Sequence, residues 1–293
     1  MTRLEDLLAA GTVVTDGAWG TQLQARGLAI GECPDAWNLS HPHCVQEVAC
    51  AYVEAGSRII LTNTFRANRI ALEGTALAAN VAELNRTGVE ISRRAAAGHA
   101  LVFASVGPSG KMLVSGDVTA AQLRDAFTEQ VQALAQAGAH ALLVETMADL
   151  DEAREAIAAA RETGLPVVAS MVFDSGKKKD RTLMGVTPER AADELAAAGA
   201  DIIGANCGCG VAGYVDICRR IHTVTGKPVW IKANAGLPEL VDGNPVYRMS
   251  ADEFAAYVPA LVEAGAGFIG GCCGTGPDFV RAIAERIAVC ASN

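Results

Sequence analysis

Ala198-Gly-Ala-Asp-Ile-Ile-Gly-Ala-Asn-Cys207 packs a helix end, a strand and two polar strand-end groups into ten residues. Gly199 stops the preceding helix, because glycine accepts the left-handed conformation of a helix C-terminus. Asp201-Ile-Ile-Gly204 then reads as a short strand with adjacent apolar residues, the pattern of a parallel sheet buried on both faces. Asn206 and Cys207 follow at its end.

The same punctuation recurs at Ala55 to Ser57, Ala137 to Ala139 and Ala264 to Ala266. Eight strand-like runs can be read along the chain: Thr12 to Thr15, Arg58 to Thr62, Leu101 to Ser105, Ala141 to Val144, Pro166 to Val172, Asp201 to Gly204, Pro228 to Lys232 and Gly267 to Gly270. Each is followed by a helical stretch rich in Ala, Leu and Glu. Strands alternating with helices indicate βαβ units, and eight of them close into a (β/α)8 barrel, an α/β fold of the TIM type. An open doubly wound sheet is the competing architecture, but no Gly-x-Gly-x-x-Gly follows the first run. No linker or low-complexity tract interrupts the 293 residues, so one domain is expected across residues 1–293. The longest irregular stretches, Ala18 to Ser40, Gly107 to Asp117, Asp174 to Gly185 and Asn234 to Ser250, all follow strands, where barrel enzymes keep their sites.

Hydrophobic residues make up 51% of the chain and charged residues 19%, enough to bury a large core. A net charge of −9 argues against nucleic acid or an anionic membrane surface as partner. The N-terminus lacks the pattern of a signal peptide, and no apolar run approaches the ~20 residues of a membrane span. A cytoplasmic location is expected. Nine cysteines, an odd number, fit reduced thiols better than a disulfide framework.

The residues just past the strands bring chemistry to one mouth: Asp16, Asn63, Glu145, Asn206 with Cys207, Asn234, and Cys272 with Cys273. Adjacent cysteines pair poorly with each other because an eight-membered disulfide ring strains the bridge geometry. Cys207 follows the sixth strand and the vicinal pair the eighth, so three thiols converge across one intervening strand that ends at Asn234. Three thiolates suit zinc with a fourth position open, as in catalytic rather than structural sites. Buried cysteines acting as small hydrophobes are the plainer reading.

The segments Asp16-Gly-Ala-Trp-Gly-Thr21, Leu61-Thr-Asn-Thr-Phe65, Glu145-Thr146, Gly204-Ala-Asn-Cys207, Asn234-Ala-Gly-Leu-Pro238 and Gly270-Gly-Cys-Cys-Gly-Thr275 together resemble the homocysteine S-methyltransferase family. That family includes the homocysteine-binding domain of cobalamin-dependent methionine synthase and betaine-homocysteine methyltransferase. The resemblance runs in order from Asp16 to Thr275 and implies a zinc-dependent barrel that methylates a thiol. It places zinc on Cys207, Cys272 and Cys273, with the homocysteine sulfur as fourth ligand. Asn234 is implied as an oxygen ligand before substrate arrives, against the alternative of a loop hydrogen bond.

Glu145 and Asp16 are implied beside the substrate ammonium, with helix capping and turn formation as their respective alternatives. Amides of the turns at Gly17, Ala18 and Ala235 are expected to meet its carboxylate. Asn63, with Thr62, either polarises the pocket or braces a strand end, and Asn206 supports Cys207. Cys209 is an added thiol near the site, and Lys177-Lys-Lys-Asp-Arg181 reads as a solvated loop. The expected donor is methylcobalamin, free or on a separate corrinoid protein. Betaine or S-methylmethionine is the alternative. Two readings of other classes stay open, a thiol oxidoreductase and a non-catalytic protein that binds zinc and thiols.

Overall fold

A computed structural model of the chain describes residues 4–241 and 244–291. Eight parallel strands form the barrel wall: β1 (Val13–Val14), β2 (Ile59–Leu61), β3 (Leu101–Val106), β4 (Ala141–Met147), β5 (Val167–Met171), β6 (Ile202–Cys207), β7 (Val229–Ala233) and β10 (Ala266–Gly271). They are hydrogen-bonded in the order β1-β10-β7-β6-β5-β4-β3-β2. A parallel bridge between Thr15 and Ile59 joins the first strand to the second and closes the ring. The expected (β/α)8 barrel is therefore the fold.

Helix α1 (Leu4–Ala9) precedes the barrel, and α2 (Gly20–Gln24) and α3 (Trp37–Ser40) lie between β1 and β2. The longer helices between the strands are α4 (Pro42–Glu54), α5 (Val81–Ala96), α6 (Ala120–Gln136), α7 (Leu150–Arg161), α8 (Pro188–Ala197) and α9 (Val211–Thr225). The seventh connection carries two short helices, α10 (Ala251–Ala255) and α11 (Val258–Glu263), and α12 (Pro277–Ala291) completes the outer ring. Local sequence sets many of the starts. Thr119 caps α6 and Ser250 caps α10 in reciprocal capping boxes, while Pro42 and Pro188 open α4 and α8 where no amide is needed. The stretch Asn234 to Ser250, read from sequence as irregular, contains the antiparallel strands β8 (Glu239–Val241) and β9 (Asn244–Val246). All three residues of β8 are exposed, so this hairpin carries no burial signal of the kind that marks the barrel strands.

Strand residues divide between two buried clusters according to their parity. Ile59, Leu61, Phe103, Leu143, Val168, Ile202, Trp230 and Phe268 fill the barrel interior. Ile60, Val102, Leu142, Val167, Ile203, Ile231 and Ile269 pack outward under the helices. This is why the strands read as continuous apolar runs: both faces are dry. Continuing the inward parity toward the strand C-termini reaches Ser105, Glu145, Ser170, Asn206 and Lys232, all buried. The barrel interior thus changes from apolar to polar at its upper end.

Candidate metal centre and binding pocket

The three thiols expected to converge do so. The Sγ atoms of Cys207, Cys272 and Cys273 lie within 4.8 Å of one another. Tetrahedral ligation with Zn–S bonds of about 2.3 Å separates sulfurs by ~3.8 Å, so this trio is sized for such an ion. Cys207 ends β6 in the left-handed region at φ 65°, an uncommon conformation for a side chain with a Cβ. Strain of this kind collects at functional sites. Gly208 follows at φ 67°, where a Cβ would run into the hydroxyl of Tyr214, which in turn donates to the Asn206 carbonyl at 2.7 Å.

Electrostatics fits the same reading. Thiol hydrogen bonds from Cys272 and Cys273 lower the Cys207 thiol far below its ordinary value. The same sharing raises Cys272 and Cys273, with burial adding to it. The shifts run in opposite directions across the trio, so ionisation is favoured at Cys207 and opposed at its two neighbours. A dication in their midst would favour ionisation of all three, and thiolate is the form that binds zinc.

Asn234 lies between the cysteine loops. Its Nδ2 donates to the Gly208 carbonyl at 2.7 Å and its Oδ1 accepts from the Cys273 amide at 2.9 Å. The side-chain oxygen expected from the resemblance as a metal ligand is turned to a backbone amide, and Asn234 ties the loop of β6 to that of β10. Tyr247, which sequence reasoning did not single out, packs on Gly274 beside Cys273. Cys209 stands outside the trio and lines a different cavity with Lys178 and Lys179.

Beside the thiols a cavity of about 320 Å³ opens at the mouth, lined by Gly17, Ala18, Trp19, Asn63, Glu145, Lys232 and the cysteines among others. Glu145 stands at a register shift between β4 and β5, and the next residue, Thr146, has φ 59°. Such an irregularity re-aims a side chain. Ser105 Oγ donates to its Oε1 at 2.5 Å, and Asn206 Nδ2 lies 3.3 Å from its Oε2. Burial pushes the Glu145 carboxyl up to about 7, opposed by Ser105 and by the Lys232 charge. A buried carboxyl facing a cavity with acceptor capacity to spare suits an incoming cation.

Asn206 braces this carboxylate more than it braces the Cys207 loop. Its Oδ1 accepts from the Thr146 amide at 2.8 Å and from Ser170 Oγ at 2.7 Å, and its Nδ2 also donates to Thr146 Oγ1 at 2.7 Å.

Asp16 is placed otherwise than expected. It is fully buried behind the cavity wall, where Oδ2 accepts from the Leu61 amide at 2.7 Å and from Trp19 Nε1 at 2.8 Å. Its Oδ1 is in a close ion pair with Lys232. A carboxylate so committed has little left for a substrate ammonium. The expected amides are also occupied in part: Ala18 N donates to the Thr275 carbonyl at 3.2 Å and Ala235 N to the Cys273 carbonyl at 3.0 Å. Asn63 gives its amide hydrogens to the Pro34 carbonyl at 2.8 Å and Asn38 Oδ1 at 3.0 Å, which fixes the loop after β1. Thr62 braces the neighbouring strand end by accepting from the Ser105 amide at 3.0 Å.

Lys232 ends the apolar run Pro228-Val-Trp-Ile-Lys232, a position that by itself does not mark a pocket residue. A single cation inside that run was the available signal.

The model of the family described as "Homocysteine S-methyltransferase" matches residues 13–287. Among similar proteins, a methionine synthase of Mycobacterium tuberculosis is 32% identical across 98% of this chain, which spans only about a quarter, 25%, of that protein. Homocysteine S-methyltransferase 1 of Zea mays is 29% identical, covering 96% of this chain and 97% of its own length. The metallated form of the homocysteine methyltransferase MmuM from Escherichia coli superposes with a TM-score of 0.78 at 23% identity, covering 94% of this chain and 96% of that one. This last likeness confirms the barrel.

Proposed function

The chain belongs to the homocysteine S-methyltransferase family, and on that premise we propose that it transfers a methyl group to the sulfur of homocysteine, giving methionine. One observation carries this reading: three cysteine sulfurs from two strand ends gather within 4.8 Å at the edge of a cavity that the buried Glu145 carboxylate also lines. Cys207, Cys272 and Cys273 would hold zinc, which when bound keeps a coordinated thiol deprotonated at neutral pH, where a free thiol of pKa ~8.5 is mostly protonated.

The chain's own groups do the rest. Glu145 receives the substrate ammonium and so orients the amino acid with its thiol toward the cysteines. Ser105 and Asn206 hold that carboxylate in place, and Asn234 keeps the two cysteine loops in register. Attack by the substrate sulfur forms the S–CH3 bond as the bond from methyl to donor breaks, and the thiol proton is lost to solvent. Positioning a nucleophile and excluding water supply the rate enhancement expected of such a pocket.

Methylcobalamin is the proposed donor, free or on a separate corrinoid protein. The similarity to methionine synthases supports it. S-methylmethionine and betaine are the alternative donors. No helix among the described residues is long and apolar enough to cross a membrane.

The test is zinc content together with methionine formation from homocysteine, with methylcobalamin, betaine and S-methylmethionine offered in turn. One zinc per chain with turnover on any of them establishes the reaction. Metal-replete protein without zinc, or zinc-loaded protein that does not bind homocysteine, would overturn it.

A further inference from the structure

Lys232 is a buried cation with no part in the reaction as set out above. It sits on β7, opposite Asn206 of β6 and Gly270 of β10 in register. Only 2% of the residue is exposed, yet it lines the cavity beside the cysteines. A lysine ammonium has three hydrogens to give. Lys232 donates one to the Asp16 carbonyl at 2.7 Å and one to Asp16 Oδ1. Burying a cation at this depth is costly unless it is paired and hydrogen-bonded. Pairing with Asp16 answers that cost but leaves one donor of the ammonium beside the cavity.

Gly270 is needed for this arrangement. A Cβ there would run into Thr15 Oγ1 and the Asp16 carbonyl, the group to which Lys232 donates.

The cavity therefore has two opposite charges in its wall. Glu145 Oε2 has only the long 3.3 Å contact from Asn206, and Lys232 has a donor to spare. Of the three turn amides expected to meet an anion, those of Ala18 and Ala235 already serve backbone carbonyls, which leaves Gly17. Arg66 is the other cation on the lining, but it is exposed at the rim.

We propose that Lys232 is a substrate-binding residue that receives the α-carboxylate of the amino-acid thiol, so that Glu145 and Lys232 together select a zwitterion. Asp16 has a positioning role: it holds Lys232 in place and is not itself a substrate contact. The proposal rests on the homocysteine reading of the pocket and adds to it the group that reads the carboxylate.

The experiment measures binding by calorimetry to zinc-loaded protein, with zinc content determined for every variant. Three thiols are compared: homocysteine, 4-mercaptobutanoate, which lacks the ammonium, and 3-aminopropane-1-thiol, which lacks the carboxylate. Wild-type protein is expected to bind homocysteine about tenfold or more tightly than either analogue, the usual scale of one charge-assisted hydrogen bond. Lys232→Met should weaken homocysteine and 4-mercaptobutanoate by about tenfold or more and leave 3-aminopropane-1-thiol unchanged. Glu145→Gln should do the reverse, weakening homocysteine and the aminothiol alone.

Because Lys232→Met strands the Asp16 charge, the doubly neutral variant Asp16→Asn with Lys232→Met is measured alongside, and the wild-type comparison needs no variant at all. Equal weakening of all three thiols, or none, in the Lys232 variants overturns the proposal, as does wild-type protein indifferent to loss of the carboxylate. Failure of zinc-loaded wild type to bind any of the three thiols overturns the homocysteine reading as well. Binding of homocysteine with no selective effect at Lys232 overturns this inference alone.

Discussion

Cys273 and Asp35 show what a single side chain decides. Cys273 supplies one of the three sulfurs, and its backbone amide is held by Asn234. Replacing it by serine swaps a soft thiolate for an oxygen that zinc binds far less well. Cys273→Ser is expected to lose zinc and homocysteine binding together while keeping its far-UV circular dichroism. Full zinc content in a folded variant would remove Cys273 from the ligand set.

Asp35 is buried on the pocket rim, and burial above all pushes its carboxyl up to about 6 from an ordinary 3.8. The folded state therefore holds this proton more tightly than the unfolded chain. That contribution to stability is complete below pH 3.8, declines as pH rises, and is gone above about 6. Asp35→Asn keeps the acceptor for the Arg66 amide, bonded at 3.0 Å, and removes the titration. It should gain on the order of 2 kcal/mol relative to wild type at pH 8 compared with pH 4. Melting temperatures at the two pH values check this, and an identical difference at both would show that Asp35 titrates alike folded and unfolded.

Elements matter here through their ends. β6 and β10 each stop where a cysteine can leave the sheet, and the strand between them, β7, passes its chain to Asn234, which ties the two loops together. β4 breaks register at Glu145 and aims it inward. The middle of β6 meets a packing limit. Gly204 is paired with Trp230, and a Cβ at Gly204 would collide with the Trp230 carbonyl and side chain. Trp230 in turn stacks near Phe103 and Phe268 in the barrel interior. Gly204→Ala should cost about 3 kcal/mol or more in urea unfolding, at the upper end for overpacking. A loss under 0.5 kcal/mol would mean that β6 and β7 can separate without disturbing the interior, contrary to the close packing of such cores.

At the scale of the whole molecule, the barrel and the cysteine trio are separable. The interior and the layer under the helices are built from apolar side chains of all eight strands, and the thiols sit above both. Chelation is therefore expected to abolish homocysteine binding while leaving a cooperative unfolding transition, with the melting temperature lowered only by the lost mass-action contribution of the metal. A chelated chain without cooperative unfolding would make the metal part of the fold, as it is in small zinc domains.

Repeated glycine stops and apolar runs were enough to read the barrel, because a strand buried on both faces must be apolar throughout and its helix must end before it. The three cysteines were legible for a related reason: residues just past parallel strands share one mouth. Pairings across the barrel were not legible. Asp16 and Lys232 are separated by 216 residues, and only closure of β1 against β10 brings the carboxylate and the ammonium together. The sequence by itself determined the fold, the thiol trio and the family, all written in local pattern and strand order. Tertiary structure alone decided which acidic group is free for a ligand, which is spent on a buried lysine, and where Asn234 points, because hydrogen-bond partners depend on distances that no local pattern records.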